Sequence, residues 1–72
     1  MKFDYAKLRG RIIETCGTQS AFAAKIGLSE HSVSQKLNNR RGWKQAEMQQ
    51  AVNILGIAVT DICTYFFTPK VQ

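Results

Sequence analysis

Apolar residues recur along this chain at intervals of three and four, and glycine, proline or a short polar gap repeatedly cuts the pattern. Tyr5, Leu8, Ile12 and Cys16 form the first stripe, with Asp4 placed to cap a helix and Gly17 to end it at positive φ. Thr18 offers a fresh N-cap oxygen, and Phe22, Ala23 and Ile26 make one apolar stripe of about two helical turns before Gly27. Ser29 is the next cap; Val33 and Leu37 follow on one face, with Leu28 tucked into the connection, and this third helix ends near Asn38. Residues Asn39 to Trp43 show no periodicity and read as a loop. Met48, Ala51, Val52 and Leu55 then define a fourth helix stopped by Gly56, its start poorly marked because Lys44 stands where a serine or threonine is expected. Thr60 is placed to cap a last short helix with Ile62 and Phe66 inward, Ile57 and Val59 packing on the way in, and Pro69 forbidding further helix. The stretch "GIAV" could pass for a short strand, but no strand pattern competes seriously. The pattern predicts an all-α fold of five short helices around one apolar centre.

At 72 residues the chain has room for one domain, 1–72, with a core large enough to fold without staples. It has no apolar run of membrane-spanning length and no secretory pattern, so the expected location is cytoplasmic. Cys16 and Cys63 are far apart, without CxxC spacing, and each falls where a helix turns it inward; both read as reduced, buried thiols.

Only Leu28 and Ser29 separate Gly27 from the third helix, so the connection between the second and third helices is a tight turn whose glycine takes positive φ. Two helices crossing steeply over such a turn need small side chains where their axes approach, and Ala23 and Val33 have the right sizes. This is the sequence form of a helix-turn-helix, spanning about residues 19–38. The order Gln19, Ala23, Gly27, Leu28, Ser29, Val33 resembles the Cro and CI repressor family of phage-type helix-turn-helix proteins, the Xre-like family. Within it the chain is most similar to short single-domain prophage regulators with "FDYAKLRGRI"-like first helices and "KLNN" closing the third. The resemblance implies a lambda-repressor-like fold and a transcriptional regulator of repressor type, bound to double-stranded DNA as a dimer on a palindromic operator. Lys36 departs from the family, falling where many relatives are apolar, and Leu37 takes over the core role. Lys44 departs as well, in place of the usual cap.

Charge sharpens this reading. Ten Lys and Arg against five Asp and Glu give +5, and Lys36, Arg40, Arg41 and Lys44 fall together with no acid among them. Taken alone, such a cluster is an ordinary solvated loop. Beside it, the third helix opposes Val33 and Leu37 with Glu30, His31, Ser32, Ser34 and Gln35, short polar groups of the kind that reach base edges at small entropic cost. By resemblance His31, Ser32 and Gln35 read bases: Gln35 can bond adenine bidentately and His31 can donate to guanine. Ser34 and Glu30 share the face, although Glu30 reads first as a structural residue favoured at a helix N-terminus. Phosphate contacts are expected from Gln19 and Ser29, from Lys36, Arg40, Arg41 and Lys44, and from Asn38 and Asn39.

Other readings carry less. His31 is the single histidine and lacks partners at ligand spacing, so no metal is expected. Trp43 follows two arginines and could stack on DNA, but a tryptophan just before a helix more often packs back as a staple. Tyr65, Phe66 and Phe67 cannot all face one core, because neighbouring helix positions diverge by about 100°; an exposed member suits a weak homodimer, and half-sites about 34 Å apart are the usual geometry for dimers of this class. No phosphate loop, nucleophile–base pair or paired carboxylates point to an enzyme, and no cofactor or small-molecule ligand is implied. The apolar faces are too small and broken for a membrane-surface binder. The serious alternative is a helix-turn-helix module, antitoxin-like, that acts through a protein partner, since fold alone does not decide function.

Overall fold

Short side-chain oxygens open three of the helices and glycines at positive φ close three. In the computed structural model, which describes residues 2–71, α1 runs over Ala6–Cys16, α2 over Gln19–Ile26, α3 over Glu30–Leu37, α4 over Gln45–Leu55 and α5 over Ile62–Phe66, with a single 3-10 turn at Val59–Asp61 before α5. Asp4 Oδ1 accepts from the Ala6 N–H at 2.9 Å, Thr18 Oγ1 from Ala21 at 3.0 Å and Ser29 Oγ from Ser32 at 3.0 Å, each taking up an amide left over by the helix. Gly27 (φ 78°) and Gly56 (φ 64°) adopt the left-handed conformation that a side chain resists, and their N–H groups return to Ala23 O and Val52 O. α4 is better started than its sequence indicates: the Glu47 carboxylate, one turn inside, accepts the Lys44 N–H at 2.9 Å.

All five helices feed one core. Leu8, Ile12, Phe22, Val33, Leu55 and Phe66 are fully buried at its centre, and Ala23, at 2% exposure, is the small residue that lets α2 lie close to its neighbours. α1 is joined to two other helices by arginines. Arg9 Nη2 donates to Leu37 O at 2.9 Å and to Asn38 Oδ1 at 2.8 Å, at the end of α3. Arg11 donates through Nε to Leu55 O at 2.9 Å and through Nη2 to Gly56 O at 3.2 Å, at the end of α4. Each guanidinium satisfies carbonyls that the helix leaves open and sits at the negative end of its dipole.

Among the described residues there is no strand, only an isolated antiparallel bridge between Phe3 and Pro69. The Asp4 N–H donates to Thr68 O at 2.7 Å and the Lys70 N–H to Lys2 O at 3.1 Å. Asn39, itself at φ 62°, grips the same stretch: it accepts the Phe3 N–H at 2.9 Å and donates to Phe3 O at 2.8 Å.

Four expectations are corrected near the C-terminal end and at the thiols. Thr60 caps nothing; it lies inside the 3-10 turn, which closes through Asp61 N–H to Ala58 O at 2.8 Å. Val59 does not pack inward but is 79% exposed; the inward position of this stretch is taken by Ile57, before the turn begins. Cys63 is exposed, since five-residue α5 buries only Phe66, and Cys16 is half-buried where the α1 stripe runs off the core. Of the three consecutive aromatics, Phe66 is buried, Tyr65 half-buried and Phe67 42% exposed. Among the described residues no helix is long and apolar enough to cross a membrane.

Replacing Arg11 by Met removes two charge-assisted bonds to the end of α4, whereas its exposed contact with Glu14 at 3.2 Å contributes little. Thermal unfolding followed by circular dichroism should show a loss of about 1–2 kcal/mol, or a fall in midpoint of about 5–10 °C for a domain of this size. An unchanged midpoint would remove the α1–α4 clasp from the account.

Candidate functional site

Ser29 sets up the polar face of α3. Its hydroxyl caps the helix and also donates to Ser32 Oγ at 3.0 Å, which fixes the first turn. With Val33 and Leu37 turned into the core, His31 stands exposed and Ser32, Ser34 and Gln35 half-buried on the side of the helix away from it, whereas Glu30, three residues before Val33, lies on the core stripe and is exposed only because it is the first residue of α3. Glu30 is the first residue of α3, where its charge favours the helix dipole. The side chains of His31 and Gln35 make no hydrogen bond among the described residues, which leaves their donors and acceptors available. Gln19, half-buried, opens α2 immediately after the Thr18 cap.

The loop after α3 folds back onto it: the Arg40 and Arg41 N–H groups donate to Gln35 O at 2.8 and 3.3 Å. Three of the residues expected to meet phosphate are occupied inside the molecule. Lys36 is the clearest correction, since it is only 4% exposed. Its Nζ lies 2.8 Å from Glu47 Oε1, donates to Gly42 O at 3.1 Å and sits 5.9 Å from the centre of the Trp43 ring. A lysine on the core side of α3 must find a counter-charge there or lose its hydration uncompensated, and α4 supplies Glu47. Asn38 accepts from Arg9 and donates to Ser34 Oγ at 3.3 Å, and Asn39 is committed to Phe3. Arg40, Arg41 and Lys44 remain exposed, without an ion pair among the described residues. The effective cationic patch is therefore these three.

Trp43 is packed rather than presented. It meets Phe66 edge-on at 5.3 Å and Tyr5 at 6.5 Å, wedged against α5 and the N-terminal stretch rather than stapled along α4. Its indole Nε1 is buried with no hydrogen-bond partner among the described residues. Burial raises the Tyr5 hydroxyl above its usual range. Burial also pushes the Glu47 carboxyl up, but the hydrogen bonds from Lys36 and the Lys44 N–H, with both lysine charges, outweigh it and leave the group below the ordinary carboxylate range.

Glu47 and Arg9 are the functional neighbours that sequence reasoning missed. A signal for the first was present: Lys36 follows Val33 by three and so lies on the buried stripe, a placement that demands an acid on a facing element. For Arg9 no local signal existed, because its acceptors lie at the end of α3, 28 residues away. Charge is also segregated along the chain: every Lys, Arg and His lies at or before residue 44 except Lys70. Among the described residues no three His, Cys, Asp or Glu side chains are grouped so as to hold a metal.

Residues 1–69 match the family model described as protein of unknown function DUF739. The chain belongs to the DUF739 family. Among solved structures it is similar to the solution structure of the modulator of repression (MOR) of the temperate bacteriophage TP901-1 from Lactococcus lactis, at 49% identity and a TM-score of 0.82, over 100% of this chain and 97% of that one. No curated protein matches this DUF739 chain.

The Lys36–Glu47 pair makes a cycle of variants decisive. Lys36→Met strands the Glu47 carboxylate and should cost about 2–4 kcal/mol in urea unfolding at pH 7. Adding Glu47→Gln, which can still accept the Lys44 N–H, should restore most of that loss. Because the folded-state carboxyl titrates below its unfolded value, the contribution of the pair is present above about pH 4.3 and is lost as pH falls further. The double variant should lack this acid-side component; equal acid sensitivity in both proteins would contradict the pairing.

Proposed function

We propose that this DUF739 chain is a small regulator that modulates repression by binding a protein partner, a repressor, and that it is not an enzyme. The observation that carries this reading is its 49% identity, over essentially the full length of both chains, to a phage modulator of repression. The geometry supports it as well. With Lys36, Asn38 and Asn39 engaged inside the molecule, the polar face of α3 retains few groups for gripping a DNA backbone, and a regulator acting through another protein needs no more. On this reading residues 1–72 act as one helix-turn-helix domain, with its motif at about 19–38, in the bacterial cytoplasm.

A second reading has its own support: a Cro/CI-type, Xre-like repressor that reads an operator in the major groove as a dimer. Helix α3 is capped by Ser29, presents His31, Ser32 and Gln35 on its open side, and is followed directly by exposed Arg40, Arg41 and Lys44. These residues would read bases and hold phosphates respectively, with Glu30, Ser34, Gln19 and Ser29 as supporting contacts.

The two readings separate in one gel-shift and calorimetry series, using the purified chain, the repressor encoded in the same phage genome and that repressor's operator at a fixed, near-physiological salt. The expected result is that the chain alone shows no site preference, binds the repressor with defined stoichiometry, and changes the operator occupancy of the repressor. A site-specific shift by the chain alone, abolished by Gln35→Ala with the repressor unaffected, would reverse the order of the two readings.

A further inference from the structure

A groove of about 380 Å³ runs between α4 and the segment formed by the 3-10 turn and α5. Met48, Gln49 and Val52 form one wall and Val59, Ile62 and Phe67 the other. None of these residues belongs to the α3 face or the basic loop. The groove is open, and large apolar side chains stand in water at its edge: Val59 is 79% and Phe67 42% exposed. Single exposed apolar residues are ordinary, but here they border a concave apolar floor.

The charge distribution narrows the occupant. Residues 45–69 contain no Lys, Arg or His, and of their two acids Glu47 is turned inward to Lys36. A polyanion finds no cation in such a groove, and a lipid surface would require a broad apolar face rimmed by basic residues. A second copy is also disfavoured. Two chains of +5 repel each other, which opposes self-association through any face. What fits is an uncharged apolar stripe on a helix, two or three large side chains at three- and four-residue spacing, with the Gln49 amide at the rim to bond polar groups beside them.

We infer that this groove is the docking site for the protein partner, receiving apolar side chains from an uncharged helical stripe while α3 and the basic loop stay outside the contact. The inference rests on the partner reading above and adds which face is used. It makes the chain two-sided: cations on one set of elements, a neutral socket on another.

The test uses the full chain, labelled with nitrogen-15, and the purified repressor of the same phage as the probe. Amide shifts on binding should concentrate in α4 and in residues 59–67. Val59→Asp and Gln49→Lys, both at exposed positions and with melting midpoints to be checked, should each weaken binding about tenfold or more. Gln35→Ala should leave it within about twofold. If the wild-type chain does not bind the repressor, the partner reading fails and takes the groove assignment with it. If it binds but Val59→Asp and Gln49→Lys bind equally well, the groove assignment alone is wrong. Self-association of the wild-type chain in sedimentation equilibrium, lost in Val59→Asp, would assign the groove to a second copy and overturn the inference.

Discussion

The arrangement of this small protein depends on a lysine placed where apolar packing calls for a hydrocarbon. Lys36 sits on the inward side of α3, and its ammonium is tolerable there because Glu47 of α4, Gly42 O and the Trp43 ring surround it. That single requirement fixes several things at once. It ties the third helix to the fourth, draws the intervening loop across the gap, and thereby determines where Arg40, Arg41 and Lys44 stand. Glu47 in turn supplies the cap that α4 lacks at Lys44, so one carboxylate closes an ion pair and starts a helix.

Cations are used as fasteners elsewhere too. Arg9 and Arg11 leave α1 for the C-terminal carbonyls of two different helices. Together with Lys36 they account for three of the ten basic residues, so the net charge of +5 overstates what is offered to an anion. A basic composition in a chain this short is partly the cost of assembling short helices whose ends must be satisfied by side chains.

The parts of the fold legible in the sequence are those whose signals are local. Thr18, Gly27 and Ser29 announce α2, its end and α3 within a dozen residues, and the structure uses each as chemistry dictates. The region from Ile57 to Phe67 was harder, because a 3-10 turn followed by a five-residue helix carries too little periodicity to say which of Val59, Ile62 or Cys63 faces inward; packing against the rest of the core decides it. The site divides the same way. Helical geometry alone sets His31, Ser32, Ser34 and Gln35 away from Val33 and Leu37, but the same geometry puts Glu30 on the core stripe, where only its place at the start of α3 leaves it exposed. Asn39 could not be read, since its role is defined by Phe3, 36 residues distant, and Lys36 was misread because a polar residue beside a basic loop looks like part of that loop. The alternative of a protein partner takes most of its weight from the likeness to a modulator of repression, and the residue pattern adds only that Lys36, Asn38 and Asn39 are engaged inside the molecule.

The pairing of Phe3 with Pro69 joins the two ends of the chain and is held by few bonds. The core already holds α1 against α5 and so brings residues 3 and 69 near each other, which leaves the bridge little loop entropy of its own to overcome; with few bonds at the ends of the chain, it is a place where local opening costs least. Asn39 holds the same N-terminal stretch from the other side. Opening of the bridge would therefore loosen an anchor of the basic loop, so the position of Arg40 and Arg41 is tied through Asn39 to a stretch 36 residues away in sequence.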